Sequence, residues 1–251
     1  MILIIPIIGL PEIGAGDPLP TMLAAHLAQG DVQLQPGDVL VVTQKIVSKA
    51  EARFVALSTI TPSPEAVALA LEVSKDAALV ELVLRESSAV VRTAPNVLIT
   101  RHRLGHVMAN AGIDASNIGL ANDDMVLLLP VDPDASAALI ADACAACFGF
   151  RPGVVISDSF GRPWRMGTVN VAIGVSDMPA ILDQRGDPDR DGRIMQVTQI
   201  ALADALAGAA GLAMGEGAEG IPACIVRGLS VAGEAQTSRA TMRPEAEDLF
   251  R

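Results

Sequence analysis

Apolar residues along the chain fall into short continuous runs that are bounded by Gly, Pro and charged residues. Runs of this kind, without the alternation of a half-exposed strand, are typical of strands that are buried on both faces. The two clearest cases are residues 2–8 and 38–43. Residues 90–100 form a run that Pro95-Asn96 interrupts, which predicts two strands joined by a turn. Further short buried strands are predicted at 126–130, 154–156 and 223–226.

Helix-start signals stand at two places between these runs. Ser63 precedes Pro64, and Asp132 precedes Pro133; a Ser or Asp cap followed by Pro is typical of a first helical turn. The second cap predicts a helix over 135–147. Apolar periodicity and stop signals predict further helices over 76–85, over 196–213 with Gly215 and Gly217 at its end, and after Pro244.

The order of these strands and helices is irregular. It lacks the regular alternation of a Rossmann fold or a (β/α)8 barrel. We therefore predict an α+β fold in which mixed sheets are flanked by helices. With 251 residues the chain is long enough for a sizeable core. We expect a single domain over residues 1–251, built as one body or as two lobes.

Composition narrows the function classes. The chain carries a formal net charge of −11, and its three lysines are far outnumbered by arginines. Nucleic acids and anionic membranes need a basic face on their partner, so the charge argues against both. A small anionic substrate stays compatible with this charge if metal ions or local Lys and Arg groups reverse its sign within the site.

The three cysteines do not form a disulfide pattern. Cys144 and Cys147 form a Cys-x-x-Cys inside the Ala-rich predicted helix, and Cys224 lies far along the chain. Packing of a buried helix is the favoured interpretation, and metal or redox use is the alternative. Residues 1–10 carry no basic leader, and the uncharged helical run 205–215 is too short to span a bilayer. We therefore expect a soluble protein of the reducing cytoplasm.

Two segments that follow predicted strands could contact phosphates. Residues 10–17 form a Gly-bearing loop whose backbone N–H groups could bind an anion, although ordinary strand-to-helix loops have the same composition. Lys45 and Lys49 lie on one face if their segment is helical, and two such ammonium groups repel unless an anion or an acid lies between them. We interpret them as phosphate ligands; the alternative is a solvated helix face compensated by Glu51.

Two acidic segments could hold a divalent cation. Asp114 and Asn117 lie three residues apart, and Asp158 and Ser159 are adjacent at the end of a predicted strand, a usual location for ligand-binding residues in α/β architectures. Carboxylate and hydroxyl oxygens suit Mg²⁺ or Mn²⁺. The alternatives are a turn residue for Asp114 and a helix cap for Asp158.

A fourth segment, residues 214–221, is rich in Gly and acidic residues and contains no Lys, unlike a P-loop. It is either a flexible turn between a helix and a strand or a loop that closes over a nucleotide. In the second interpretation Glu216 adds another oxygen ligand. Spacing alone does not decide between them.

Taken together, these segments resemble the coenzyme F-420:L-glutamate ligase family, also called F-420-0:gamma-glutamyl ligase, over residues 10–229. The matching motifs are Val-Val-Thr-Gln-Lys-Ile-Val-Ser-Lys at 41–49, His102-Arg103-Leu104-Gly105, Ala-Asn-Ala-Gly-Ile-Asp-x-Ser-Asn at 109–117, Asp-Ser-Phe-Gly-Arg-Pro-Trp-Arg at 158–165 and Asn170-Val171-Ala172-Ile173-Gly174. Several long blocks in one order make a chance match very improbable.

The resemblance implies a fold, a reaction and cofactors. The gamma-glutamyl-ligase-like fold is an intertwined homodimer with its site in a cleft near the subunit interface. The family uses GTP to attach L-glutamate to the lactyl carboxylate of coenzyme F-420-0, and then adds further glutamates through γ-linkages. It requires Mg²⁺ or Mn²⁺, and K⁺ helps. Some bacterial relatives continue into a C-terminal flavin-reductase-like domain, which we do not expect in this chain.

Carried over by motif, the resemblance also implies two sets of site residues. The implied GTP contacts are Leu10, Pro11, Glu12, Ile13, Gln44, Lys45, Lys49, Asn117, Met214, Gly215, Glu216, Gly217, Ala218, Glu219, Gly220 and Ile221. The implied metal ligands are Asp114, Asp158, Ser159 and Glu216.

The expected route runs through an acyl phosphate, because a carboxylate is a poor electrophile until it is activated. Metal ions and lysines are expected to offset the charge of the reacting anions. Arg162, Arg165 and His102 are the catalytic candidates, with structural roles as the alternative; the arginines suit a diester phosphate or incoming carboxylates. The rival functions are a metal-dependent nucleotide phosphohydrolase and a non-catalytic GTP-binding module.

Overall fold

A five-stranded mixed sheet lies at the centre of the fold. The structure is a computed structural model that describes residues 1–118, 124–230 and 232–248. In spatial order the strands are β1 (Leu3–Pro6), β12 (Ala223–Arg227), β2 (Val39–Thr43), β8 (Gly153–Arg162) and β9 (Arg165–Ser176). Strands β2 and β8 run parallel, and the other neighbouring pairs run antiparallel.

Helices cover both faces of this sheet. Helices α1 (Leu19–Gln29) and α5 (Pro133–Phe148) pack on one face, and α6 (Leu202–Met214) packs on the other. Side chains of β2 alternate between the two faces, so that Leu40 and Val42 meet α1 and α5 while Val39 and Val41 meet α6. A strand buried on both sides has to be apolar at every position, which explains the continuous apolar run.

A second, smaller core forms where helices α3 (Pro64–Val73) and α4 (Ala77–Arg85) pack on a three-stranded antiparallel sheet. Its strands are β4 (Ser87–Ala94), β5 (Val97–His102) and β6 (Val107–Ala109). The remaining elements are helix α2 (Gln44–Ala50) and two antiparallel strand pairs, β3 (Phe54–Ala56) with β7 (Met125–Leu127) and β10 (Ile181–Asp183) with β11 (Gln199–Ala201).

The prediction of an α+β fold with mixed sheets and flanking helices is confirmed. The predicted caps also form: the side chains of Ser63 and Asp132 accept hydrogen bonds from backbone N–H groups three residues ahead. The turn at Pro95-Asn96 separates β4 from β5 as expected, and Asn96 has a left-handed φ of 65°. Local signals of this type need no distant partner.

Several predicted bounds were wrong. The strand expected at 154–156 continues to Arg162, because β9 supplies hydrogen-bond partners for its polar end. Residues 196–213 are not one helix, since Gln199–Ala201 pairs with β10 before α6 begins. Strand β1 is shorter than 2–8, β7 is displaced from 126–130, and the segment after Pro244 forms one 3-10 turn, Glu245–Glu247. Helix α1 and strand β9 were not predicted.

The packing interpretation holds for Cys144, which is buried in the main core, and is wrong for Cys147, which is exposed. Burial, with a smaller effect of Cys147, raises the pKa of the Cys144 thiol to about 11. Within the described part of the chain, no helix combines the length and apolarity needed to cross a bilayer.

Glu86 joins the smaller core to its surroundings through one carboxylate oxygen. Oε2 accepts from Arg53 Nη2 at 3.0 Å and from Arg103 Nε at 3.1 Å. His102 Nε2 stands 3.5 Å from the same oxygen. The Leu104 N–H donates to His102 Nδ1, so the ring proton sits on Nε2 and faces the carboxylate. The contact with His102, followed by the two arginines, holds the pKa of Glu86 at about 2.

We expect Glu86→Gln to lower the unfolding free energy at pH 7 by roughly 3 kcal/mol at most. The pKa of Glu86 is depressed from 4.5 to about 2, so its contribution is complete above pH 4.5 and disappears as the pH falls through about 2. The difference between the variant and the wild type should therefore be constant from pH 7 to 5 and narrow below that. Urea unfolding at pH 7, 5 and 4 measures it.

The control is Glu72→Gln, the same substitution at an exposed position of α3. We expect it to change the unfolding free energy little at any of these pH values. An equal loss in both variants would contradict a specific role for the Glu86 carboxylate.

Candidate active site

A cavity of about 520 Å³ opens at the edge of the main sheet where the parallel strands β2 and β8 diverge. Thr43, the last residue of β2, is paired with Ser157 of β8. The chain then turns directly into α2 on one side, while Asp158 follows on the other. The cavity is lined by the loop after β1, by α2, by the segment at Asp114, by the middle of β8 and by the loop after α6.

Helix α2 presents its two lysines to the cavity, as expected for residues four apart on one helix face. Lys45 Nζ lies 3.0 Å from Asp114 Oδ2 and donates to the carbonyl oxygen of Ser116 at 3.1 Å. Lys49 Nζ pairs with the carboxylate of Glu12, in the loop after β1. Each ammonium group therefore has a carboxylate partner within the same cavity.

Asp158 is the most perturbed carboxylate of the cavity. Burial raises its pKa to about 7, and the nearby charge of Asp114 adds to the rise. The Ser159 N–H, the charge of Lys45 and a hydrogen bond from the Gln44 side chain oppose it. Ionised Asp158 is therefore short of positive charge around it, and a cation bound beside it would lower its pKa.

Gln44 lies behind Asp158 and does not line the cavity. It is 1% exposed, and its Oε1 accepts from Ser48 Oγ at 2.8 Å. With the amide oxygen engaged in this way, the amide N–H₂ is left to donate to Asp158. Its side chain thus orients a cavity carboxylate, and a contact between Gln44 and GTP stays a prediction.

The loop after α6 is held by two asparagines from other segments. Asn117 Nδ2 donates to the carbonyl oxygen of Gly217 at 3.1 Å, and Asn170 Nδ2 donates to Glu216 Oε1 at 2.7 Å. Glu219 folds back, and its Oε2 accepts from the Gly217 N–H at 2.8 Å. The carboxylate of Glu216 therefore faces Asn170 of β9.

Asn170 lines the cavity but was not among the predicted site residues, although its motif was part of the family resemblance. It is paired with Ser159 across the β8–β9 hairpin, so both point to the same region. The signal lay in the Asn-Val-Ala-Ile-Gly motif, but nothing local links that motif to Ser159. Thr43, Ile46 and Pro222 also line the cavity.

The three catalytic candidates lie outside this cavity. His102 is fully buried beside Glu86. Arg162 and Arg165 lie at the turn of the β8–β9 hairpin, where Arg162 Nη1 donates to the carbonyl oxygen of Gly167 at 3.1 Å. His106, four residues after His102, is buried like His102. Burial lowers the pKa of His106 to about 4, so its ring is neutral at pH 7. The buried positions of His102 and His106 are therefore in keeping with structural roles.

The oxygen donors of the cavity fit a magnesium-like ion that completes its shell with ligand phosphates and water. Among the described residues, no group of three or more His, Cys, Asp or Glu side chains converges as a ready-made metal site. Mg²⁺ is usually held by only one or two carboxylates together with substrate phosphates. Asp114 and Asp158 supply such a pair, and Ser159 also lines the cavity; Glu216 is turned towards Asn170.

Comparison with known proteins gives consistent matches over nearly the whole chain. The model of the family described as F420-0:Gamma-glutamyl ligase matches residues 7–228. The coenzyme F420:L-glutamate ligase of Methanothermobacter thermautotrophicus is 41% identical over 246 residues, which cover 97% of this chain and 96% of that protein. The proteins of the same name from Methanopyrus kandleri and Archaeoglobus fulgidus are 44% and 42% identical, over 90% and 99% of this chain and 90% and 96% of their own lengths.

The packing of α6 on Asn170 predicts opposite effects for two glycines of that helix. A Cβ on Gly211 would collide with the Asn170 side chain, whereas a Cβ on Gly208 would meet its nearest atoms at 3.7 Å, an ordinary contact. Gly208→Ala should stabilise the helix by up to about 1 kcal/mol. Gly211→Ala should instead displace Asn170 from Glu216 and destabilise the protein by about 1–3 kcal/mol. Urea unfolding of both variants tests this; equal tolerance would show that α6 does not press on Asn170.

Proposed function

Because the chain belongs to the F420-0:gamma-glutamyl ligase family, we propose that it uses GTP to attach L-glutamate to the lactyl carboxylate of coenzyme F420-0. We further propose that it adds successive glutamates through γ-linkages, as an amide-forming ligase of coenzyme F420 biosynthesis. The observation that carries the proposal is the convergence of Lys45, Lys49, Asp114 and Asp158 on one cavity with a Gly-rich loop. Such a cavity suits a nucleotide whose phosphates are bound by lysines and by a metal ion.

The proposed chemistry has two steps. An oxygen of the substrate carboxylate attacks the γ-phosphorus of GTP, the bond to the β-phosphate oxygen breaks, and GDP leaves an acyl phosphate behind. The amine of glutamate then attacks the activated carbonyl carbon, the amide bond forms, and inorganic phosphate departs as the amine loses its proton. Both nucleophile and nucleotide in the first step are anionic, so the site has to offset their repulsion.

Residues of the cavity can meet this requirement in part. The ammonium groups of Lys45 and Lys49 would bind phosphate oxygens, and the loop at 214–221 would cover the nucleotide once Glu219 releases the Gly217 N–H. Asp114 and Asp158, with Ser159, would hold Mg²⁺ or Mn²⁺, and Glu216 would join them only after leaving Asn170. When bound, the metal would supply positive charge to the transferred phosphoryl group. K⁺ is proposed as a helper, with no residues assigned to it.

The arginines of the hairpin support a further part of the proposal. Arg162 and Arg165 lie at the tip of the hairpin together with Trp164 and Met166, which are 87% and 97% exposed. A tip of this composition suits contact with a second copy of the chain, and we propose the intertwined homodimer on that basis. In such a dimer the two arginines could bind the acidic groups of the substrate. Free thiols in the chain suit the cytoplasm as its compartment.

The decisive assay is mass spectrometry of coenzyme F420-0 after incubation with the protein, GTP, Mn²⁺ and L-glutamate. We expect a mass gain of one or more glutamyl residues that requires both GTP and metal. Asp158→Asn, which keeps the shape of the side chain but removes its charge, should lower the rate at least about a hundredfold. Asp31→Asn, at an exposed position outside the cavity, should leave it unchanged.

Other outcomes would favour the rival functions. GDP formation without any glutamyl product would indicate a phosphohydrolase. Binding of GTP without turnover would indicate a nucleotide-binding module. An unchanged rate in Asp158→Asn, with circular dichroism like that of the wild type, would contradict the metal role of this residue.

A further inference from the structure

Lys45 occupies the position that a cation would take on Asp114. Its ammonium nitrogen lies 3.0 Å from Asp114 Oδ2 and 3.1 Å from the carbonyl oxygen of Ser116. Both side chains are largely shielded, with 22% and 28% of their surfaces exposed. Two oxygens at such distances form a charge-assisted site for the ammonium group. Two of the three N–H donors of the lysine are therefore engaged, and the ammonium group is held beside Asp114 while it keeps these partners.

Lys45 and Asp114 differ in how easily they can move. The backbone of Asp114 is fixed by reciprocal hydrogen bonds with Leu127, of 2.9 Å from the Asp114 N–H and 2.8 Å to its carbonyl oxygen. Lys45 instead carries its charge at the end of a flexible four-carbon stem, which starts in the first turn of α2. Rotation of the lysine side chain alone can thus separate the pair, while the backbone that carries the Asp114 carboxylate stays in place.

The charge of the cavity opposes this separation unless another cation arrives. Five carboxylates line it, from Glu12, Asp114, Asp158, Glu216 and Glu219, against the two lysines. Asp114 and Asp158 both line it, and two carboxylates in one cavity repel each other. Removal of Lys45 without replacement would leave these two carboxylates facing each other in a partly buried site, which is costly.

We propose that Lys45 is a displaceable counter-ion that couples metal binding to nucleotide binding. A divalent cation that binds Asp114 takes the place of the ammonium group, and the released ammonium group binds the phosphates. The phosphates in turn hold Lys45 away from Asp114, so that each ligand strengthens the binding of the other. This inference rests on the proposed function, since it takes the metal and the nucleotide from there.

Lys49 provides a matched control one helical turn further along α2. It has the same charge and lines the same cavity, but its partner is Glu12, whose side chain is 78% exposed and which is not part of the proposed metal pair. Loss of Lys49 would remove a proposed phosphate contact, but Lys45 would still compete with the metal for Asp114. The two lysines should therefore differ in their effect on metal binding alone.

The experiment measures Mn²⁺ binding by electron paramagnetic resonance, first without nucleotide. Lys45→Met should bind Mn²⁺ about fivefold or more tightly than the wild type. Lys49→Met should change the affinity less than about twofold, because its effect on Asp114 acts only through the general charge of the cavity. Lys45→Arg keeps a competing charge and should stay near the wild type. Circular dichroism checks that all three variants are folded.

The second half measures Mn²⁺ binding again with saturating guanosine 5′-(β,γ-imido)triphosphate. In the wild type and in Lys49→Met, the analogue should tighten Mn²⁺ binding by a similar factor. In Lys45→Met the analogue should tighten Mn²⁺ binding by a smaller factor, because only the direct effect of the phosphates on Mn²⁺ remains. The nucleotide itself should bind more weakly to both methionine variants when Mn²⁺ is present.

The results separate the inference from the proposed function. If Lys45→Met binds Mn²⁺ no more tightly than Lys49→Met, or binds it more weakly than the wild type, the counter-ion role is wrong while the ligase proposal stands. If the wild type binds no Mn²⁺ with or without the analogue, both the counter-ion role and the metal part of the proposed function are wrong. The mass-spectrometric assay then decides separately whether glutamate is transferred.

Discussion

The parallel pairing of β2 with β8 is the interaction on which the rest of the structure depends. It forms the middle of the main sheet, so the cores on both faces are built on its side chains. It also brings two distant parts of the sequence to one edge, where Thr43 leads into α2 and Ser157 leads to Asp158. Polar residues that follow paired parallel strands share that edge. The lysines and Asp158 meet for this reason, while Asp114 reaches the cavity through its pairing with Leu127 of β7.

Much of the fold was predictable where a signal lies within a few residues. The caps at Ser63 and Asp132 and the apolar run of β2 are of this kind. The polar end of β8 was not predictable, because it is a strand only through its pairing with β9. In the site, the motifs identified the cavity segments, but they could not show that Gln44 is buried behind Asp158 or that Asn170 holds Glu216, since both contacts join residues far apart in sequence.

The two lysines of the cavity are neutralised locally. The protein as a whole is strongly acidic, and each lysine of the cavity is paired with a carboxylate of the same cavity, while Asp158, Glu216 and Glu219 line it without a lysine partner. A site of this kind avoids burying unpaired ammonium groups before its ligands arrive. In the proposed function it would accept anionic ligands by exchanging partners, with little movement of the backbone. Asn117 and Asn170 hold the loop after α6 by hydrogen bonds from uncharged amide groups, which an incoming charged group could replace.

The β8–β9 hairpin links the cavity mechanically to a surface far from it. Asp158, Ser159 and Asn170 lie on its two arms, and Trp164 stands at its tip, five residues from Ser159 and so roughly 15 Å along the strand. A hairpin that is fixed only at its base bends more easily than one that is fixed at its base and at its tip. A partner that covered the tip would therefore stiffen the arms that carry the cavity residues. If a second copy of the chain does so, turnover per molecule should depend on protein concentration, and dilution alone would slow the enzyme.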